Sequence, residues 1–285
     1  MSPEDLERSV LAWRKGRMAR LTARDGWLSL IGKTFLDPGI PVAAGAAAGS
    51  GIALPADKAP GQLGTFELAD GRVRFTPAPG VAVQLQAAGA GEFTPIAGPT
   101  ALTSDARGRA DRVVYAELVL EVMERGDAFA VRVRDVSRAK PEFAGFDHYP
   151  IRAEWRIVAR FEPYTPERAI ELVWEAGMQE PYFSPGAAVF EKDGATYRLD
   201  PVFESDRKRL WIVFADQTSR SETYGAGRFL YAPPPENGEI VLDFNRAFNP
   251  PCAFSPYTAC PLPPFQNRLA LRVEAGEKRP NTDHA

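Results

Sequence analysis

A mainly β chain with one N-terminal helix is the fold this sequence predicts, and three observations predict it. Short apolar alternations recur from residue 25 to residue 274. Asx-Gly pairs punctuate them: Asp70–Gly71, Asp193–Gly194 and Asn237–Gly238, each a two-residue hairpin signal. Helical spacing is confined to the first two dozen residues.

The helix is expected over residues 3–24. Ser2 is placed to cap it and Pro3 suits a first helical turn. Leu6, Val10, Trp13, Arg17 and Leu21 share a face, and the remaining positions are mostly charged. Beyond it, "DGWLSLIGKTFLDPG" alternates apolar residues between Gly and Pro turns. Gly64–Leu68 and Arg72–Thr76 form a hairpin about Asp70–Gly71, and Val81, Val83 and Leu85 alternate again. Residues 41–51, "PVAAGAAAGSG", read as a surface loop. Residues 113–136 read as two strands split at Arg125–Gly126–Asp127. Arg132, Arg134 and Arg138 alternate there with Val131, Val133 and Val136, the pattern of a solvated strand face. Residues 25–137 therefore form a β-meander or small β-sandwich.

The second half repeats the grammar in "EWRIVARFEPY", "GAAVFEKDGATYRLDPVFES", "RLWIVFADQTS", "GEIVLDFN" and "NRLALRVEAGE". The connection 138–150, "RAKPEFAGFDHYP", is the best boundary. It divides a helix-plus-sandwich domain, 1–137, from a β-rich domain with a Pro-rich loop, 138–285. The two halves can also share one core. No repeat of fixed period is present.

The chain has 285 residues, 45% of them hydrophobic, and a net charge of −3. It has no basic stripe, so nucleic acid is not an expected partner. It has no apolar run of membrane-spanning length and no secretory leader, so a soluble cytoplasmic protein is expected. Neither a Walker A loop nor G-x-G-x-x-G occurs, and no cofactor is expected.

The most distinctive stretch runs from Asp243 to Lys278. It holds both cysteines, six of the 26 prolines and three asparagines. Proline removes ladder donors, so the middle of this stretch is neither helix nor ordinary strand. The expectation is a rigid insertion closing the C-terminal domain, with Asn267–Glu274 returning as a strand. "FADQTSRSETYGAGRFLYAPP" followed by "LDFNRAFNPPCAFSPYTACPLPPFQNRLALRVEAGEK" resembles the DUF1684 family. "RVRDVSRAKPEFAGFDHYPI" and "DGWLSLIGKTFLDPG" are similar to its upstream segments. The sequence departs at Ser219–Arg220, where Ser-Gly is usual. The resemblance implies a shared architecture and supplies no substrate. Residues 26–76 also resemble the rhythm of a forkhead-associated β-sandwich. There the loop that would read phosphothreonine is replaced by "AAGAAAGSG", with no Arg.

Several residues can carry chemistry. Seven residues separate Cys252 from Cys260, a spacing open to a disulfide, to buried thiols, or to a metal set completed by His148. A reactive thiolate at Cys252 needs a nearby cation, and Arg228 and Arg246 are the candidates. His148 is the well-placed imidazole, with Asp216, Glu222 and Glu277 as carboxylate alternatives for acid–base work. Asp243, Asn245, Arg246, Asn249 and Asn267 sit among phenylalanines and must face solvent or find partners. Tyr224 and Arg228 flank the glycines of "TYGAGR", where Arg228 can grip a carboxylate or phosphate.

The reading that emerges is a pocket for a small polar or anionic ligand, built from the TYGAGR turn and the Cys252–Asn267 loop. Tyr224, Arg228, Asp243, Asn245, Arg246 and Asn267 would bind the ligand. The alternatives are a small-molecule hydrolase or transferase using His148 or Cys252, and a purely structural or interaction protein. On the pocket reading, Pro263→Ala and Asn245→Ala lower stability, whereas Arg228→Ala leaves the fold intact.

Overall fold

In a computed structural model the chain is mainly β, with one α-helix among the described residues, which are 1–138, 143, 145–174, 177–204 and 207–280. Residues 139–142 and 144 of the predicted connection lie outside them, as does His284. Contacts divide the chain into two compact units, 22–140 and 1–21 with 141–285. The N-terminal helix, expected with the first half, thus belongs to the second unit.

The 22–140 unit holds two sheets. One has the order β1-β11-β10-β9-β6-β7, formed by β1 (Leu30–Leu36), β6 (Gln84–Gln86), β7 (Thr94–Pro95), β9 (Arg112–Tyr115), β10 (Leu118–Arg125) and β11 (Ala128–Asp135). The other has the order β3-β2-β4-β5-β8, from β2 (Val42–Gly45), β3 (Ile52–Ala53), β4 (Gly64–Ala69), β5 (Arg72–Pro77) and β8 (Thr100–Leu102). Alternate residues of both sheets meet in one core that includes Phe66, Val73, Phe75, Leu120, Val131 and Val133. This is a sandwich, and the period-2 pattern dictates it. Residues 41–51, expected as loop, contain β2, which pairs antiparallel with β4 through Val42↔Phe66. Small residues suit this strand because backbone crowds it: a Cβ on Gly45 would lie 2.1 Å from the Gly61 carbonyl oxygen.

In the other unit, α1 (Pro3–Leu21) buries Leu6, Val10, Arg17 and Leu21, the face its spacing predicts. β12 (Phe146–His148) pairs with β20 (Glu277–Pro280). β13 (Arg156–Val173), β14 (Gln179–Lys192), β15 (Ala195–Leu199) and β19 (Glu239–Asp243) form a sheet of order β15-β14-β13-β19. β16 (Val202–Phe203), β17 (Leu210–Phe214) and β18 (Arg228–Ala232) form a third. β13 runs through Pro163 and Pro166 because its ladder with β14 shifts register between Pro163 and Arg168, where the missing donors are not needed. Asp70, Asp193 and Asn237 all have φ of 52°, each followed by a glycine of positive φ, as two-residue hairpin turns require.

Asn267–Glu274 does not return as a strand of a named ladder. Its backbone is satisfied otherwise. Leu269 N donates to Ala215 O at 2.8 Å, Gln217 N donates to Leu271 O at 2.9 Å, and Arg228 takes the carbonyls further on. Among the described residues no helix is long and apolar enough to cross a membrane.

Candidate functional site

The β17–β18 hairpin builds one wall of the site. β17 is buried along its whole length and pairs with β18 in the register Phe214↔Arg228. The connection between them, residues 215–227, is held from inside. Asp216 Oδ1 accepts Thr218 N at 2.8 Å and Thr218 Oγ1 at 2.6 Å, and Thr223 N donates to Thr218 O at 3.1 Å. Arg220 lies at the tip with φ of 74°, a left-handed conformation that glycine adopts freely. Arg220 occupies that geometry at some strain. Gly227, at φ of 94°, is needed for closeness. A Cβ there would lie 2.5 Å from the Phe214 carbonyl oxygen and 2.6 Å from Pro263 Cγ.

The Pro-rich segment supplies the other wall. Short 3-10 turns at Phe244–Arg246, Pro251–Ala253 and Phe265–Asn267 carry it. Asn267 pins it: Oδ1 accepts Asp200 N at 2.7 Å, and Nδ2 donates to Asp200 O and Val213 O at 3.1 and 3.0 Å. Ala215 N then donates to Asn267 O at 3.1 Å, which joins the two walls. Between them lies a cavity of about 620 Å³ lined by Ala215, Ser219, Arg220, Gly225, Ala226, Leu262, Pro263 and Arg268. Arg220 and Arg268 are exposed, and neither has a carboxylate partner among the described residues. Arg268 Nε donates to Pro263 O at 3.3 Å, so its terminal nitrogens are not committed by that bond.

The residues expected to bind are mostly structural by position. Arg228 is wholly buried. Its Nη2 donates to Asp216 Oδ2 at 2.8 Å and Val273 O at 2.9 Å, and its Nη1 to Ala275 O at 2.5 Å. It is a clamp on the 273–277 backbone, so the expectation that Arg228→Ala leaves the fold intact is reversed. Asn245 is also fully buried, and its amide pairs with both backbone groups of Arg152 at 3.0 Å. Asp243 accepts from Asn245 Nδ2 at 3.0 Å and pairs with Arg246, whose Nη2 donates to Ser9 Oγ on α1. Tyr224 is half-buried, and its carbonyl accepts Gly227 N at 3.0 Å. None of these six residues lines the cavity. The cavity is lined by the two segments the sequence singled out, but by Arg220 and Arg268 rather than by the six residues expected to bind. The signal for Arg220 was its departure from Ser-Gly; Arg268 sits in a segment where nothing distinguishes a wall residue from any surface arginine.

The candidate catalytic residues lie elsewhere. His148 Nε2 is buried without a hydrogen-bond partner among the described residues, 5.3 Å ring to ring from Phe146. Burial, reinforced by Arg14, pushes its pKa down to about 4, so the imidazole is neutral at pH 7. Cys252 and Cys260 are free thiols in contact: Cys252 N donates to Cys260 Sγ at 3.3 Å, and Thr258 Oγ1 donates to Cys252 Sγ at 3.0 Å. Burial, and the Cys252 thiol beside it, push the Cys260 thiol well up. No group of three or more His, Cys, Asp or Glu placed to hold a metal occurs among the described residues. Glu277 is buried and accepts Arg17 Nε at 3.1 Å and Asn249 N at 2.7 Å, fastening α1 to the C-terminal strand.

A solved structure of an uncharacterized protein from gene locus rrnAC0354 of Haloarcula marismortui is similar at 29% identity, covering 48% of this chain and 77% of that one, with a TM-score of 0.40. No curated protein matches. Residues 141–278 match DUF1684, a family of unknown function. They include the hairpin connection, the Pro-rich wall and both cavity arginines, and this segment of the chain is similar to the DUF1684 family.

Proposed function

We propose that this chain binds a small anionic molecule in the cavity between the 215–227 connection and the 262–268 segment. One observation carries the reading: two arginines without carboxylate partners face a cavity whose other walls are largely apolar. Arg220 and Arg268 offer forked donors to a carboxylate or phosphate. Leu262, Pro263, Ala215 and Ala226 offer a dry wall to the body of the ligand, and the volume suits a small molecule. The strained backbone at Arg220 supports the same reading. A left-handed non-glycine residue costs roughly 1 kcal/mol, and here it sets a cation at the cavity mouth. His148 and Cys252 do not line this cavity, so no step of chemistry is assigned to it.

The test is a thermal-shift screen of small carboxylates and phosphates, followed by calorimetry on the ligands that stabilise the protein. Arg220→Ala and Arg268→Ala are each expected to weaken a true ligand by about tenfold or more, with an unchanged circular dichroism spectrum. If every stabilising anion binds the double variant as tightly as the wild type, the cavity is not the site.

A further inference from the structure

The six-stranded sheet of the 22–140 unit carries charge on the face turned away from its core. The register lines up Arg132, Glu121, Arg112 and Gln86 across β11, β10, β9 and β6. The sequence pattern predicts a solvated face. Instead Arg132 and Arg134 are 4% and 6% exposed. Trp27 covers them, with the two guanidinium carbons 5.6 and 5.4 Å from its ring. Arg134 also donates to the carbonyls of Asp25 and Gly26 at 3.1 and 3.0 Å. Loops complete the cover. Asp111 fastens two of them, accepting Ala88 N and Thr103 N at 2.7 Å each. Beneath them is a cavity of about 320 Å³ whose charged lining is Asp25, Asp105, Glu121, Arg109, Arg112, Arg132 and Arg134.

The charges there do not close among themselves. Glu121 is shared by Arg112 at 2.8 Å and Arg134 at 2.9 Å. Asp105 is shared by Arg132 at 3.0 Å and by Arg125, which grips it through both terminal nitrogens at 2.7 and 3.1 Å. Asp25 accepts from Arg112 at 3.1 Å. Arg109, exposed at the rim, has no ion-pair partner among the described residues. Arg132 is buried, yet its Nε has no acceptor among the described residues. Burial lowers the Arg132 pKa; Asp105 opposes that, while Arg125 and Arg134 add to it. The network leaves a buried guanidinium edge and, at Arg109, a cation without an ion-pair partner among the described residues, both on the lining of an open volume.

We propose that this cavity is an oxyanion site, one that takes the carboxylate or phosphate group of a small molecule between Arg109, Arg112 and Arg132, with Trp27 as its wall. It is formed wholly from residues 25–134 and does not depend on the pocket of the other unit. The test uses full-length 15N-labelled protein carrying Arg220→Ala and Arg268→Ala, so that anion binding at that pocket does not contribute. Inorganic phosphate and citrate are titrated separately against chloride at matched ionic strength. The readout is the indole N–H resonance of Trp27, assigned with Trp27→Phe. A saturable shift at concentrations up to about 10 mM is expected with at least one probe, and the probe that binds tells phosphate from carboxylate. Arg109→Ala, at an exposed position with no protein partner, should weaken that binding about tenfold and leave the remaining spectrum in place, and Arg109→Lys should restore part of it. No saturable shift with either probe, or equal affinity in Arg109→Ala, overturns the proposal.

Discussion

Arg228 shows how a residue type suited to ligands becomes a structural part. Its guanidinium meets Asp216 with both side chains almost fully out of water, and its two terminal nitrogens also take carbonyls of a segment that has no ladder. Removing it leaves a buried carboxylate and several carbonyls unpaired. Arg228→Ala is expected to cost about 3–5 kcal/mol, read as a fall in the urea midpoint at constant slope. Asn245→Ala should cost about 1–3 kcal/mol for the same reason, since both backbone groups of Arg152 lose their partner. His148 sets a pH dependence. Its folded pKa of about 4 lies below its ordinary value of 6.5, so the unfolded chain binds the proton more readily. Stability from this group is complete above pH 6.5 and is lost as pH falls toward 4. Allowing for partial solvent screening, the loss is about 1–2 kcal/mol. Unfolding curves for His148→Gln should show a shallower decline over that window than the wild type; parallel curves would mean that His148 does not sense burial.

At the scale of elements, the Pro-rich segment is held by side chains rather than by a ladder. Asn267, Asn245 and Asn249 each bond backbone groups of other segments, which a proline-rich stretch cannot do with its own donors. It packs tightly against the β17–β18 hairpin at Gly227, where the Pro263 ring and the Phe214 carbonyl leave no room for a methyl group. Gly227→Ala is expected to cost more than about 1 kcal/mol and to abolish anion binding at the adjoining cavity. Gly225→Ala, whose Cβ would approach only Arg220 Cγ at 3.3 Å, should be milder in stability. A Gly227→Ala protein with wild-type melting temperature would show that the two walls do not pack as described.

At the scale of the molecule, each unit has its own core. The cluster that includes Phe66, Phe75, Leu120 and Val131 is drawn from residues 36–133, and the cluster that includes Phe214, Phe244 and Val273 from residues 155–275. The first unit is continuous in sequence; the second needs α1, whose Arg17 pairs with the buried Glu277. Residues 22–140 expressed alone are therefore expected to unfold cooperatively in urea. Residues 141–285 alone should be less stable than the same region of the full chain, because Glu277 loses its cation. Arg17→Met in the full chain should reproduce that loss; an undiminished midpoint in both experiments would detach α1 from the stability of the unit.

By itself the sequence determined what depends on local pattern: the face of α1, the Asx-Gly hairpins, the two-sheet alternation and the family segment. Each follows from a spacing of 2 or 3.6 residues, or from a residue that tolerates positive φ. It also singled out the TYGAGR turn and the Pro-rich loop, between which a cavity lies, since glycine and proline punctuate both. Only the tertiary structure decided which polar residues face the cavity and which face protein. Arg228 and Arg220 are near neighbours of one chemical type, yet one is wholly buried on Asp216 and the other stands free in solvent. Likewise Arg132 and Arg134 alternate like a wetted strand face, and become buried because Trp27 and distant loops fold over them. Burial is set by what packs against a side chain from far along the chain, and no local spacing encodes that partner.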